Sequence, residues 1–269
     1  MKKTGLSLAL AAALGLGITA CTSTEGPAPG STGAASAEAL QGNPFLTASD
    51  LPLQYPRFDQ IKDEHFGPAF DFGMAEQLEE IEAIASNGEP PTFENTIVAL
   101  ENSGQVLDRA RAVFFNLVGT DTNDARKAIQ AEYSPRFAAH RDAIMLNGAL
   151  FARIKALYEQ REGLGLDAEA LRLVERYYTD FVRAGAQLSD ADKARLKEMN
   201  AQLATLGTQF DQNVLNEVNA SAVVFDSADE LAGSTGAQIA AAAEEAKKRG
   251  LEGKYVVTLL NTTGQPPLS

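Results

Sequence analysis

The stretch Phe66–Ala85, FGPAFDFGMAEQLEEIEAIA, decides the fold class. Its apolar residues Phe66, Phe70, Met74, Leu78, Ile81 and Ala85 step by four, four, four, three and four, which is one face of an α-helix and not the alternation of a strand. Gly88 and the pair Pro90-Pro91 stop it. Glu76, Glu79, Glu80 and Glu82 share the helix with that apolar face, so they read as a solvated surface and not as a carboxylate cluster.

The same period continues downstream. Thr92 is an N-cap, with Glu94 in the first turn where the helix dipole favours an acid. The next stripe runs through Ile97, Leu100, Gly104, Leu107, Ala110, Phe114 and Leu117 as one expected helix. Gly104 costs that helix up to about 1 kcal/mol unless a close neighbour needs the missing side chain. After a turn at Thr120–Asn123 the pattern is helical to about Glu162, with Pro135 and Asn147-Gly148 expected to kink or break it. Asp167 caps a helix that aligns Leu171, Val174, Tyr178 and Phe181. Ser189 and Asp192 open the longest helix, and Leu196, Met199, Leu203, Leu206, Phe210, Val214 and Val218 are expected on its buried side.

Near the end of the chain the character changes. Ala222–Phe225 and Lys254–Asn261 are short β-prone runs on either side of an Ala-rich helix at about Gly236–Arg249. A lone strand leaves its backbone groups unpaired, so the two runs are predicted to pair as a ribbon, its second edge open or meant for further sequence. The fold class is therefore mainly α: a multi-helix layer or bundle with a small two-stranded β ribbon near the C-terminus.

Upstream, Lys2 and Lys3 precede an apolar run from Leu6 to Ile18, too short to span a bilayer, which reads as a secretory signal peptide over residues 1–20. Ile18-Thr19-Ala20-Cys21 closes it like a bacterial lipobox, making Cys21 the expected lipidation site. From Thr22 to Ser36 every residue but Glu25 is Thr, Ser, Gly, Pro or Ala, so residues 21–42 are expected to form a disordered tether. Residues 43–269 form the helical region. The expected location is the cell envelope, lipid-anchored in the outer membrane and facing the periplasm; Thr22, not an Asp, follows the thiol. With 23 Lys and Arg against 36 Asp and Glu, the net charge of −13 opposes nucleic acid as a partner and gives no electrostatic hold on anionic lipid.

Chemistry-bearing motifs are sparse. One Cys excludes an internal disulfide, and the two His, at 65 and 140, do not form an H-E-x-x-H zinc pair. G-x-S-x-G, a P-loop and G-x-G-x-x-G are also missing. His65 reads as a helix-start histidine making one hydrogen bond. His140, beside Arg141 and Asp142, reads as lying on a surface-like helix face. No catalytic and no metal-ligating residue is expected in this chain.

A family resemblance rests on Asn43-Pro44-Phe45, the run Phe58–Phe70 (FDQIKDEHFGPAF) and Pro91–Ile97 (PTFENTI). These are similar to N-terminal landmarks of the thimet-oligopeptidase family of zinc metallopeptidases. Val113–Leu117, Thr122–Asp124, Leu164–Glu169, Glu175–Tyr178, Asp180–Ala186 and Tyr255–Thr263 resemble its bacterial peptidyl-dipeptidase branch. The resemblance runs from about residue 43 to the last residue.

What the resemblance implies is a neurolysin-like fold of two helical lobes around a channel. In the family, zinc held by H-E-x-x-H and a downstream Glu activates water, and the peptidyl-dipeptidase branch releases dipeptides from the C-termini of oligopeptide substrates. This chain matches the N-terminal region only, so the zinc cofactor is expected of the full-length enzyme and not of these residues. The missing C-terminal catalytic half is the implied partner, and the chain is expected to be cut off and inactive alone. The alternative reading is a non-catalytic, lipid-anchored helical protein that binds a peptide or a partner. The two differ in one structural expectation: a fragment exposes an apolar patch where the other lobe packs.

Overall fold

The computed structural model describes residues 40–259. The expected leader, Cys21, the tether up to residue 39 and the stretch from residue 260 onward lie outside the described residues. The helices are α1 (Phe66–Ala85), α2 (Ala99–Glu101), α3 (Gln105–Thr120), α4 (Asp124–Met145), α5 (Gly148–Gln160), α6 (Ala168–Ala184), α7 (Asp190–Ala220) and α8 (Gly236–Lys248). Strands β1 (Val223–Phe225) and β2 (Tyr255–Val257) pair antiparallel with Val223 opposite Val257 and Phe225 opposite Tyr255, which is the ribbon read from the sequence.

Helix α1 is the spine, because it enters two hydrophobic cores. Its first half packs Phe66, Phe70 and Met74 with Phe45, Leu107, Phe114, Tyr133 and Phe137. The rings of Phe66, Phe70 and Phe114 meet at centroid distances of 5.0–6.0 Å, in the range where edge-to-face and offset pairs are favourable. Its second half gives Ile81 and Ile84 to a core with Ile97, Leu150, Ile154, Val174 and Phe181 from α5, α6 and the segment before α2. Leu78, expected on this face, is exposed instead, and Gln77 turns inward beside it. The step of four from Met74 to Leu78 drifts off the buried line, which Ile81 and Ile84 recover. A third, smaller core of Leu231, Ala242 and Val257 holds α8 against the ribbon.

Caps follow the sequence closely. Thr92 accepts from the Asn95 backbone N–H at 3.0 Å, Asp167 from Ala170 at 2.8 Å and Ser189 from Asp192 at 3.2 Å. After Thr92 the chain makes a wide π-helical stretch, Phe93–Val98, before α2. Here the structure corrects the expectation of one continuous helix. Gly104 is left-handed at φ +74° and separates α2 from α3. Its backbone N–H donates to Glu80 Oε2 at 2.8 Å, and a Cβ there would collide with Gln77. Pro135, by contrast, does not break α4. It offers no N–H to the preceding turn, and the neighbouring Ser134 hydroxyl donates to the Gln130 carbonyl at 2.7 Å.

Gly73 sets the distance between α1 and α3: a Cβ at that position would stand 2.7 Å from the Leu107 backbone nitrogen and 2.9 Å from its Cα. Backbone cannot swing aside as a side chain can. Gly73→Ala is therefore expected to cost about 1–3 kcal/mol by forcing the two helices apart. Thermal unfolding checks this, with Gly163→Ala, where a Cβ meets open space, as the neutral comparison.

Candidate functional site

The motif residues behind the family resemblance turn out to be fasteners. Asn43 is buried, donates from Nδ2 to the His65 carbonyl at 2.8 Å and accepts from the Phe45 N–H at 3.1 Å. Arg109 on α3 donates from Nε and Nη2 to the Phe45 carbonyl at 3.2 and 3.1 Å, tying that segment over the first core. Asp63 accepts from Arg126 Nε at 2.7 Å and from Asn123 Nδ2 at 2.7 Å, which docks the start of α4. Arg153, buried on α5, donates from Nη1 to the Asn87 and Glu89 carbonyls at 2.7 and 3.0 Å and from Nη2 to Asn95 Oδ1 at 2.8 Å. It thereby pins the Pro90-Pro91 loop to the Thr92 cap without any carboxylate partner in these contacts.

Tyr177 of α6 donates to Glu101 Oε1 at 2.6 Å, and burial, then that hydrogen bond, holds its phenol well above the usual range. Tyr158 and Tyr178 stack at 3.9 Å, joining α5 to α6. Gly185 ends α6 left-handed at φ +100°, with the Ala186 N–H reaching back to the Phe181 carbonyl at 3.0 Å.

Neither histidine is placed as a zinc ligand. His65 Nδ1 accepts the Lys62 N–H at 3.1 Å, the single bond read for it from the sequence. His140 departs from its surface reading: only 8% of it is exposed. Its Nε2 lies 2.7 Å from Gln77 Oε1, which assigns the proton to Nε2 and leaves Nδ1 buried without a partner. Burial, reinforced by the Arg111 cation, lowers its pKa to about 4. The two rings stand on separate elements, with His65 Nδ1 taken by a backbone N–H and the His140 ring enclosed. Among the described residues no group of three His, Cys, Asp or Glu side chains gathers as a metal site.

The four glutamates of α1 divide. Glu79 and Glu82 are exposed, whereas Glu76 and Glu80 are half-buried. Burial, then the neighbouring Glu80 carboxylate, raises Glu76 above the ordinary carboxylate range, with Arg109 opposing.

The feature the sequence misplaced is α7. The middle of its expected buried stripe is its outer face, with Met199 48% exposed, Leu203 64%, Leu206 60%, Phe210 67% and Val214 45%, while Leu196 and Val218 toward the ends are half-buried. What seats the helix is polar. Asn200 Nδ2 donates to Asp142 Oδ1 at 2.8 Å, Thr208 Oγ1 to Ser134 Oγ at 2.7 Å, Gln212 Nε2 to the Lys127 carbonyl at 3.2 Å and Lys193 Nζ to the Leu146 carbonyl at 3.3 Å. At about 100° per residue the two faces are centred roughly 130° apart. Beside the seat, Arg141, Asp142, Tyr177, Arg183, Leu196 and Asn200 line a groove of about 620 Å³ between α4, α6 and α7, and Asp142 Oδ2 is buried without a partner. One signal for the inversion lies in the sequence: from Met199 to Phe210 there is no Asp, Glu, Lys or Arg, an unusual composition for a water-facing helix.

No family model matches the chain. Individual relatives do. Dipeptidyl carboxypeptidase of Escherichia coli is 47% identical over 227 residues, covering 84% of this chain and 33% of that protein. Its Salmonella typhimurium counterpart is 47% identical over 230 residues, 86% and 34% of the two chains. Oligopeptidase A of Escherichia coli is 26% identical over 217 residues, 81% of this chain and 31% of that protein. Over these residues the chain belongs to the thimet-oligopeptidase family. It spans about a third of the length of the curated relatives it matches. The thimet-oligopeptidase likeness thus falls on a helical region whose motif residues fasten helices and loops to one another.

The buried His140 makes a pH prediction. Its folded pKa of about 4 lies below the ordinary value of 6.5, so between those pH values the unfolded chain binds a proton that the folded chain refuses. Stability is fully present above about pH 6.5 and falls as pH drops toward 4, by roughly 2–3 kcal/mol from this residue. Urea unfolding at pH 7 and pH 4.5 checks it: His140→Gln is expected to lose less stability on acidification than the unsubstituted chain.

Proposed function

We propose that this chain is the N-terminal helical portion of a lipid-anchored zinc metallopeptidase of the peptidyl-dipeptidase type, which releases dipeptides from the C-termini of oligopeptides. The observation that carries the reading is the 47% identity to dipeptidyl carboxypeptidases across 84–86% of this chain. In this proposal the chain supplies scaffold, forming part of the wall that restricts access to unfolded peptides. Water activation by zinc belongs to a region of the family polypeptide with no counterpart in these 269 residues. The enclosed His140, the engaged His65 and the lack of H-E-x-x-H support that division. The exposed face of α7 favours a portion of a larger body over a free-standing binding protein.

Envelope anchoring is part of the proposal and rests on Lys2, Lys3, the apolar run Leu6–Ile18 and the lipobox ending at Cys21. Among the described residues no helix is long and apolar enough to cross a membrane. Growth with a radiolabelled fatty acid tests the anchor: label is expected on the protein and lost with Cys21→Ser.

The catalytic half of the proposal is tested with the purified chain, zinc and a chromogenic tripeptide. The expected outcome is turnover at background and less than 0.1 equivalent of zinc retained after gel filtration, an order-of-magnitude bound for a chain without a closed ligand set. Stoichiometric zinc, or turnover abolished by His65→Ala or His140→Ala, overturns the division of labour.

A further inference from the structure

We propose that the Met199–Val214 face of α7 is the seat of an apolar helix from the two thirds of the peptidase polypeptide to which these residues have no counterpart; this rests on the function proposed above. The face is a ridge of five apolar side chains along about 22 Å of helix. The chain continues from α7 into β1, where Val223 and Val224 are also exposed.

Three observations choose the occupant. First, α7 is already seated on α4 by hydrogen bonds from Asn200, Thr208 and Gln212 and on the Leu146 carbonyl just beyond it by Lys193, so the ridge is not a face that misses its own core. Second, Gly207 borders the ridge, and a Cβ added there meets nothing within 4 Å. That notch lets a second helix approach at the short end of the usual 8–10 Å spacing. Third, the relatives carry this region as about a third of a longer chain, leaving two thirds that must pack against it somewhere.

A second copy of this chain is the competing occupant, and the spacing disfavours it. Leu196, Met199, Leu203, Leu206 and Phe210 keep a three-four repeat for only about two heptads, short of the three to four that sustain an isolated coiled coil. The flanking positions Asn200, Gln202, Gly207 and Gln209 carry none of the charges that set pairing between such helices. An uncharged flank suits a helix enclosed on several sides.

The probe is the unmatched two thirds of Escherichia coli dipeptidyl carboxypeptidase, tagged and co-expressed with this chain as a separate polypeptide. The expected result is a one-to-one complex whose recovery falls at least tenfold with Leu203→Glu, Phe210→Glu or Gly207→Trp. Thr205→Glu, exposed on the far side of α7, leaves it unchanged. Each of these positions is exposed, so circular dichroism of the variant chains is expected to match the unsubstituted one. A parallel measurement joins residues 43–269 of this chain to the same two thirds in one polypeptide, where the three ridge variants are expected to lower Tm and Thr205→Glu is not.

If the complex forms and all three ridge variants leave both recovery and Tm unchanged, the seat is elsewhere and the functional proposal stands. If this chain ignores the probe but forms an oligomer that Leu203→Glu disperses, the occupant is a second copy and the inference is overturned. If neither the pair nor the joined polypeptide assembles, the functional proposal falls with it.

Discussion

The close approach of α1 to α3 at Gly73 is the constraint on which the rest of the fold depends. Because nothing but hydrogen projects from Gly73, the Leu107 backbone can lie where a side chain would otherwise stand. That separation lets Phe66 and Phe70 meet Phe114 ring to ring and keeps Met74 in the first core. It also fixes where α3 begins, and the left-handed turn at Gly104 brings the chain back beside Gln77. Gln77 in turn reaches His140 on α4. One missing methyl group thus positions three helices.

The residues that carry the family likeness are explained by this architecture. Asn43, Asp63, Asn95 and Gly185 each hold a loop or a helix end in place through backbone or side-chain hydrogen bonds. Asn43 is hard to substitute because a buried polar group left unpaired costs about 1–3 kcal/mol, and Gly185 because its φ of +100° disfavours any side chain. A likeness strong enough to identify a family can therefore be structural throughout. The peptide chemistry named for the relatives belongs to the functional proposal.

Much of the architecture was legible because its signals are local. The stripe from Phe66 to Ile81 announced α1, Thr92, Asp167 and Ser189 announced helix starts, and two β-prone runs found each other for want of any other partner. What escaped depended on tertiary context. Gly104 looked like a costly helical glycine because periodicity runs straight through it, while its positive φ is a property of the turn. His140 has charged neighbours in sequence, yet Gln77 arrives from another helix to enclose it. Periodicity also located the apolar face of α7 correctly but could not say which way it points. That depends on Asp142, Ser134 and Lys127 of α4, which hold the polar side.

The polar seat of α7 has a consequence for how the molecule breathes. Each side-chain hydrogen bond that holds the helix contributes about 1 kcal/mol net, whereas a buried Leu or Phe anchor contributes about 1.5–3 kcal/mol. A long arm fastened mainly by the weaker kind opens at a lower free energy than the two cores beneath it. Its amide protons then exchange with solvent through excursions of the arm alone, while those of α1 wait for the whole molecule to come apart.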